Sequence, residues 1–279
     1  MTHILFLFAF LLSSSLSLIN VSSYDPNEAL RSVWLSGAAY CDKSKYYSMK
    51  VGGPSAGFVV KDILYDAKTD LQGYTGYLSK YQNIYVVIRG SSSVKNWIDD
   101  FEVRKVSYNT YPECNCEVHN GFYKSALNVK NATISSVKNL MKQFPSYSVI
   151  VTGHSYGASC SQLLAMELEK VGIVTTIYNY GQPRIGDKLY AGFANTVINN
   201  YWRFTHNKDI VPHVPPQQMD YLHSCREVFE DVNGFLNLCS ETNCEDPKCA
   251  DQFALTETNG DDHSIYLKHP VSCDASIVI

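Results

Sequence analysis

The chain predicts an α/β fold, with a mostly parallel central sheet, helices on both faces and an antiparallel meander at its start. Three observations carry this. From residue 83 onward, short β-branched runs alternate with helical patterns, which is how strand–helix–strand units and a parallel sheet read in sequence. Before that, two strand-like runs, 56–66 and 73–78, flank a turn over 66–70 and read as a hairpin. Finally, 148–152 lead directly into Gly153-His154-Ser155-Tyr156-Gly157 and then into a helical stretch, giving strand, tight turn, helix.

Taken in order, residues 24–40 read as a helix opening at Asp25-Pro26 and packing on the body. After the hairpin, 83–89 is a strongly β-branched strand ended by Gly90. Over 121–144, Phe122, Ala126, Val129, Ile134, Val137, Leu140 and Met141 repeat at helical spacing. The strand at 148–152 and the helix at 158–170 follow. Residues 174–180 form the next strand, stopped by Gly181-Gln182-Pro183, and Gly186-Asp187 start a helix that runs to about 197. The last strand read from sequence is 201–205.

The 279 residues are 45% hydrophobic and show no repeat, low-complexity tract or linker, so residues 23–279 are expected as a single domain and a monomer. A net charge of −4 offers no basic surface for nucleic acid. Residues 4–18 are an apolar run near the amino terminus, too short for a comfortable bilayer span, and read as a secretory signal within residues 1–22; an uncleaved anchor is the rival. The nine cysteines agree with secretion. Cys160 reads as a buried free thiol. The other eight are an even number whose pairing spacing leaves open, with a metal cluster at Cys239, Cys244 and Cys249 as a weak alternative. Asn131-Ala132-Thr133 is a glycosylation acceptor in a secreted chain.

The G-x-S-x-G pattern in this setting predicts a nucleophile elbow, with Ser155 pushed out of a strained turn. A serine hydroxyl needs a base within hydrogen-bond reach, and that base needs a carboxylate to fix its tautomer. On an α/β-hydrolase sheet the order is serine, acid, histidine. Asp209, in the loop past the strand at 201–205, is the expected acid, and Asp187 reads instead as a helix N-cap. Of His213, His223, His263 and His269, His263 on a late loop is the best-placed base. The backbone N–H of Tyr156 and the loop holding Ser91 are the expected oxyanion donors. Ser91 also reads as an N-cap. Val94, Trp97, Ile98 and Phe101 share one face of a short amphipathic helix at 92–101, either a core helix or a lid that turns toward lipid.

These residues carry a family resemblance. Arg89–Asp100, Val118-His119-Asn120-Gly121-Phe122, Val151–Ala158, Tyr180–Gly186, Asn207–Pro215 and Asp262–Tyr266 resemble, in order, the motifs of the class 3 lipases, the fungal-type triacylglycerol lipase family. The resemblance implies an α/β-hydrolase fold, with Ser155 as nucleophile, Asp209 as acid and His263 as base. It implies Ser91 and Tyr156 as the oxyanion hole and residues 92–101 as a lid. It also implies a Cys41–Cys273 disulfide, while Cys114 and Cys116 could close a small strained loop and the four cysteines at 225, 239, 244 and 249 stay open. The expectation is a secreted serine lipase hydrolysing ester bonds of triacylglycerols at a lipid–water interface, touching membrane or droplet transiently, with no metal or organic cofactor needed. Phospholipase A1 and feruloyl-type esterase share this machinery, and a non-catalytic lipase-like binding protein is the rival from another class.

Overall fold

After three successive central strands an α-helix returns the chain to the opposite end of the sheet, and this makes the middle of the sheet parallel. The computed structural model describes residues 24–92 and 102–274. It opens with α1 (Pro26–Ala38), capped by Asp25, whose carboxylate accepts from the Asn27 N–H. β1 (Val59–Asp66), β2 (Leu71–Leu78) and β3 (Asn83–Ile88) pair antiparallel as the expected meander. β4 (Lys105–Ser107) and β5 (Glu117–His119) form a small separate ribbon. Then come α2 (Asn120–Gln143), β6 (Ser148–His154), α3 (Tyr156–Lys170), β7 (Thr175–Tyr180), α4 (Lys188–Val197) and β8 (Asn200–His206). β9 (Glu227–Glu230) and β10 (Leu236–Leu238) complete a sheet of order β1-β2-β3-β6-β7-β8-β9-β10. Its pairings from β3 to β9 are all parallel, and β10 closes the far edge antiparallel to β9.

Side chains alternate between two cores, as a sheet covered on both faces requires. Ile84, Val86 and Ile88 of β3 join Val149 and Val151 of β6 in the layer under α2, α3 and α4. Tyr85 and Val87 join Ile150, Tyr178 and Phe204 in the layer under α1. The α1 layer is tyrosine-rich, and its hydroxyls tether the helix. Tyr74 donates to the Leu35 carbonyl at 2.7 Å, Tyr180 to the Ala29 carbonyl and Tyr85 to the Glu28 carboxylate at 2.8 Å. These tyrosines thus bury their rings while each hydroxyl keeps a partner.

β9 and β10 escape a sequence reading because acidic residues bracket the strand. Glu227 is nonetheless buried, satisfied by Arg203 at 3.1 Å, by the Thr205 hydroxyl and by the Ala250 N–H at 3.0 Å. The two-residue-early start of α3, at Tyr156 rather than 158, follows from the sharpness of the turn before it. Asp187 accepts from the Tyr190 N–H at 2.8 Å and caps α4, as its sequence context predicts.

Among the described residues four disulfides form: Cys41–Cys273, Cys114–Cys116, Cys225–Cys244 and Cys239–Cys249, leaving Cys160 free and buried. Burial pushes the Cys160 thiol up to about 12, which keeps it protonated and inert. The metal alternative at the cysteine-rich segment fails on this pairing. Glu227, Cys239 and Cys249 do lie close together, but the two sulfurs are bonded to each other.

Cys41–Cys273 spans 232 positions and so removes the most unfolded-state freedom. Replacing both cysteines by serine is expected to destabilise the fold by up to about 5 kcal/mol. The shift in thermal unfolding midpoint, compared with that of the 10-residue-separated Cys239–Cys249 double variant, measures it.

Candidate active site

Ser155 sits at the crossing of β6 and α3 with φ 59° and ψ −135°, a left-handed backbone that a serine holds only where neighbours impose it. The glycines make the turn possible. A Cβ on Gly153 would lie 2.6 Å from the Gly157 carbonyl oxygen, and one on Gly157 would lie 2.5 Å from the Arg89 carbonyl oxygen. The Ser155 N–H donates to the Tyr180 carbonyl at 2.9 Å, which locks the turn to β7.

The acid and base candidates are zipped together by their own main chain. Past β8, the Ile210 N–H donates to the Asn259 carbonyl at 3.0 Å, and the Asn259 N–H donates to the Lys208 carbonyl at 2.8 Å. Asp262 reinforces this seam by accepting from Asn207 at 3.0 Å and from Asn259 at 2.9 Å. The result places the His263 Nδ1 2.7 Å from the Asp209 Oδ2, with both side chains almost wholly buried. The same carboxylate accepts from the Tyr266 hydroxyl and, through Oδ1, from the Val211 N–H at 2.8 Å. Burial alone would raise the Asp209 pKa. The His263 charge and the hydrogen bonds from His263, Tyr266 and Val211 outweigh it and hold the carboxyl below its ordinary value.

With Nδ1–H donating to Asp209, Nε2 of His263 carries the lone pair of a base. The ring is held from two sides. The His154 ring lies tilted against it at a centroid distance of 4.3 Å and donates its Nε2–H to the His263 carbonyl at 2.9 Å, while its Nδ1 accepts from the Tyr40 hydroxyl at 2.7 Å. Burial keeps His154 far below its usual pKa, so this relay is neutral and fixed in tautomer. On the other side lies Gly181, at φ +55°, where a Cβ would come within 2.7 Å of the imidazole Cε1. His154 precedes Ser155, and Gly181 follows the residue that accepts the Ser155 N–H, so the imidazole lies beside the serine. Ser155 Oγ and His263 Nε2 are both buried, and among the described residues neither makes a hydrogen bond, to the other or elsewhere. A nucleophile–base bond often tightens only when ligand arrives.

Tyr156 opens α3, where backbone N–H groups have no intrahelical partner. Its ring is turned away, edge-on to Phe122 at 5.7 Å. Gly90 approaches so closely that a Cβ there would lie 2.9 Å from the Ser155 Cβ, which brings the loop that continues to Ser91 against the serine. Val94, Trp97, Ile98 and Phe101 lie outside the described residues.

The other histidines have different partners. His213 bridges the Asp209 and Ala250 carbonyls at 2.9 and 3.2 Å, His223 meets the Pro212 carbonyl at 2.7 Å, and His269 packs on Trp34. Three further groups shape the site without a sequence signal that singles them out. Tyr266 and His154 stand inside the motifs but carry no pattern of their own. Gly181 is visible in sequence only as the stop of a strand.

Three comparisons agree with this geometry. The family model described as "Lipase (class 3)" matches residues 85–219. A lipase of Rhizomucor miehei is 40% identical over 151 residues, 52% of this chain and 41% of that protein. A deletion-mutant form of the Rhizomucor miehei lipase propeptide complex superposes with a TM-score of 0.81 at 30% identity, covering 89% of this chain and 80% of that one. "Secreted mono- and diacylglycerol lipase 1" of Fusarium solani is 31% identical over 211 residues, 70% of this chain and 60% of that protein. This chain therefore spans about half the length of the curated relatives it matches. A solved triacylglycerol lipase, described as having a serine protease triad as its catalytic centre, superposes with a TM-score of 0.82 at 28% identity, over 88% of this chain and 96% of that one. With an α/β-hydrolase sheet, the serine elbow and these relatives in agreement, the chain belongs to the class 3 lipase family.

Proposed function

We propose that this protein is a secreted serine lipase that hydrolyses acylglycerol esters at a lipid–water interface. The observation that carries the reading is the buried His263–Asp209 pair set beside a serine in a strained, glycine-lined elbow. Ser155 Oγ attacks the ester carbonyl as His263 Nε2 takes its proton. Asp209 stabilises the imidazolium that forms, and the N–H of Tyr156 with Ser91 holds the oxyanion. Collapse of the tetrahedral intermediate expels the glyceride alkoxide, which His263 protonates. Water, deprotonated by the same nitrogen, then attacks the acyl-enzyme, and breaking the Ser155 ester bond releases the fatty acid.

Secretion is supported by the apolar run within residues 1–22, by four disulfides and by a relative named as secreted. Residues 23–279 act as one domain and as a monomer in this reading. The apolar face of Val94, Trp97, Ile98 and Phe101 is a lid that covers the site in water. Burying it again against lipid, at roughly 25 cal/mol per Å2, supplies several kcal/mol toward opening. Acylglycerols are favoured over feruloyl esters because that face is apolar.

Hydrolysis of emulsified triolein, with a rise in rate above the solubility limit of a short ester, is the expected behaviour of the purified chain. Ser155→Ala is expected to lower kcat/KM on triolein by about 10⁴-fold or more. Unchanged turnover in that variant would end the mechanism. Tyr266→Phe removes one donor from the Asp209 carboxylate and is expected to lower kcat about tenfold with KM little changed, a loss typical of one hydrogen bond to a charged group. Asp209 also predicts a pH effect on stability. Its folded pKa lies below its ordinary 3.8, so its contribution is fully present above that value and is lost as pH falls through the lower folded value. Asp209→Asn should therefore narrow the stability difference between pH 6 and acid relative to the parent, read from urea midpoints across a pH series.

A further inference from the structure

The β9–β10 hairpin carries an apolar tip that neither the fold nor the proposed chemistry uses. Val232 is 72% and Phe235 73% exposed, and Leu236 and Leu238 behind them are 41% and 56% exposed. A water-facing hairpin tip is ordinarily polar, and contiguous exposed apolar side chains mark an interaction surface.

The tip is also stiff. Asp231 accepts from the N–H groups of Asn233 at 2.8 Å and Phe235 at 2.9 Å, and main-chain bonds Asp231 N–H to Phe235 carbonyl and Gly234 N–H to Asp231 carbonyl close the turn. Gly234 supplies the φ of +81° it needs. Apolar anchors on a pre-ordered turn lose little freedom when they dock.

Its position decides the occupant. β6, β7, β8 and β9 run parallel, and the register His154↔Tyr180 and His206↔Glu230 brings their carboxyl ends to one edge. Residues 231–235 therefore project beyond the same sheet edge that holds Ser155, displaced from it across the sheet by about 14 Å, three strand spacings, and standing further out along the strand direction. The hairpin also abuts the loop after His263. The Leu267 N–H donates to the Glu230 carboxylate at 2.6 Å, and the Lys268 ammonium would lie 2.9 Å from a Cβ on Gly234. Residues 227–238 carry Glu227, Glu230 and Asp231 and no lysine or arginine, while His206 and Lys268 face Glu230, so the hairpin itself offers no basic cluster to draw anionic headgroups. Hydrogen bonds, from the Phe235 N–H first, hold the Asp231 carboxyl below its usual range and so ionised.

We infer that Val232 and Phe235, backed by Leu236 and Leu238, form an anchor that docks the sheet edge onto an uncharged acylglycerol surface. This deepens the proposed function and rests on it, because the surface sought is the substrate's own. It adds a fixed contact point at the carboxyl edge of the sheet, which orients the site toward the lipid plane.

The test uses the full chain carrying Ser155→Ala, so that droplets are not consumed, with and without Val232→Ser and Phe235→Ser. Flotation with triolein droplets measures partitioning. The paired serine substitutions are expected to reduce it about tenfold or more. In the Ser155-intact chain the same pair should leave hydrolysis of a dissolved short-chain ester unchanged, which also reports an intact fold, and should raise the apparent KM on triolein. Unchanged flotation overturns the anchor. So does tighter binding to phosphatidylglycerol vesicles than to triolein, or a parent dimer that the substitutions dissociate. Absence of ester hydrolysis in the parent is a different result and strikes the lipase reading, since flotation is scored without catalysis.

Discussion

The backbone of one residue constrains everything around it. Ser155 holds φ 59° because β6 must end and α3 must begin within a single step, and no room exists there for a Cβ at 153 or 157. A left-handed serine costs of order 1–3 kcal/mol, which only a well-packed surrounding can offset. That surrounding is two cores meeting at β3 and β6, with helices on one face and the tyrosine-tethered α1 on the other. The strain puts the hydroxyl at the edge of the sheet, with the N-terminus of α3 behind it to favour negative charge.

The second constraint is electrostatic. A carboxylate buried as deeply as Asp209 survives only with partners, and it has three donors: the His263 ring, the Tyr266 hydroxyl and the Val211 N–H. The contact with His263 also fixes its tautomer and leaves the lone pair on its other nitrogen. His154 and Tyr40 fasten the same loop through neutral hydrogen bonds. Positioning and charge satisfaction are thus one network, which is why the loops holding Asp209 and His263 are bonded main chain to main chain before their side chains meet.

The cysteine-rich segment belongs to this scheme as a support. Cys225–Cys244 and Cys239–Cys249 fold residues 225–250 against β8 and β9. Arg184 grips Glu245 at 2.8 and 2.9 Å, and His213 joins the Ala250 carbonyl to the Asp209 carbonyl. A segment rich in charge is held by buried pairs, and the Asp209 loop leans on it.

The sequence by itself determined the central strands and the elbow, and it singled out Asp209 and His263, which the fold brings together, because each rests on a local rule. β-branched runs make buried strands, glycines permit the turn, and the serine–acid–histidine order follows the connectivity of a parallel sheet. It also determined that Asp187 is a cap, since capping needs only the next few residues. The tertiary structure alone decided what depends on residues distant in the chain. β9 is invisible in sequence because its acids read as surface until Arg203 stands beside Glu227. The pairing of four cysteines was open because spacing carries no distance. Tyr266, His154 and Gly181 gained their places from contacts across 57, 109 and some 80 positions, and no local pattern records an encounter of that kind.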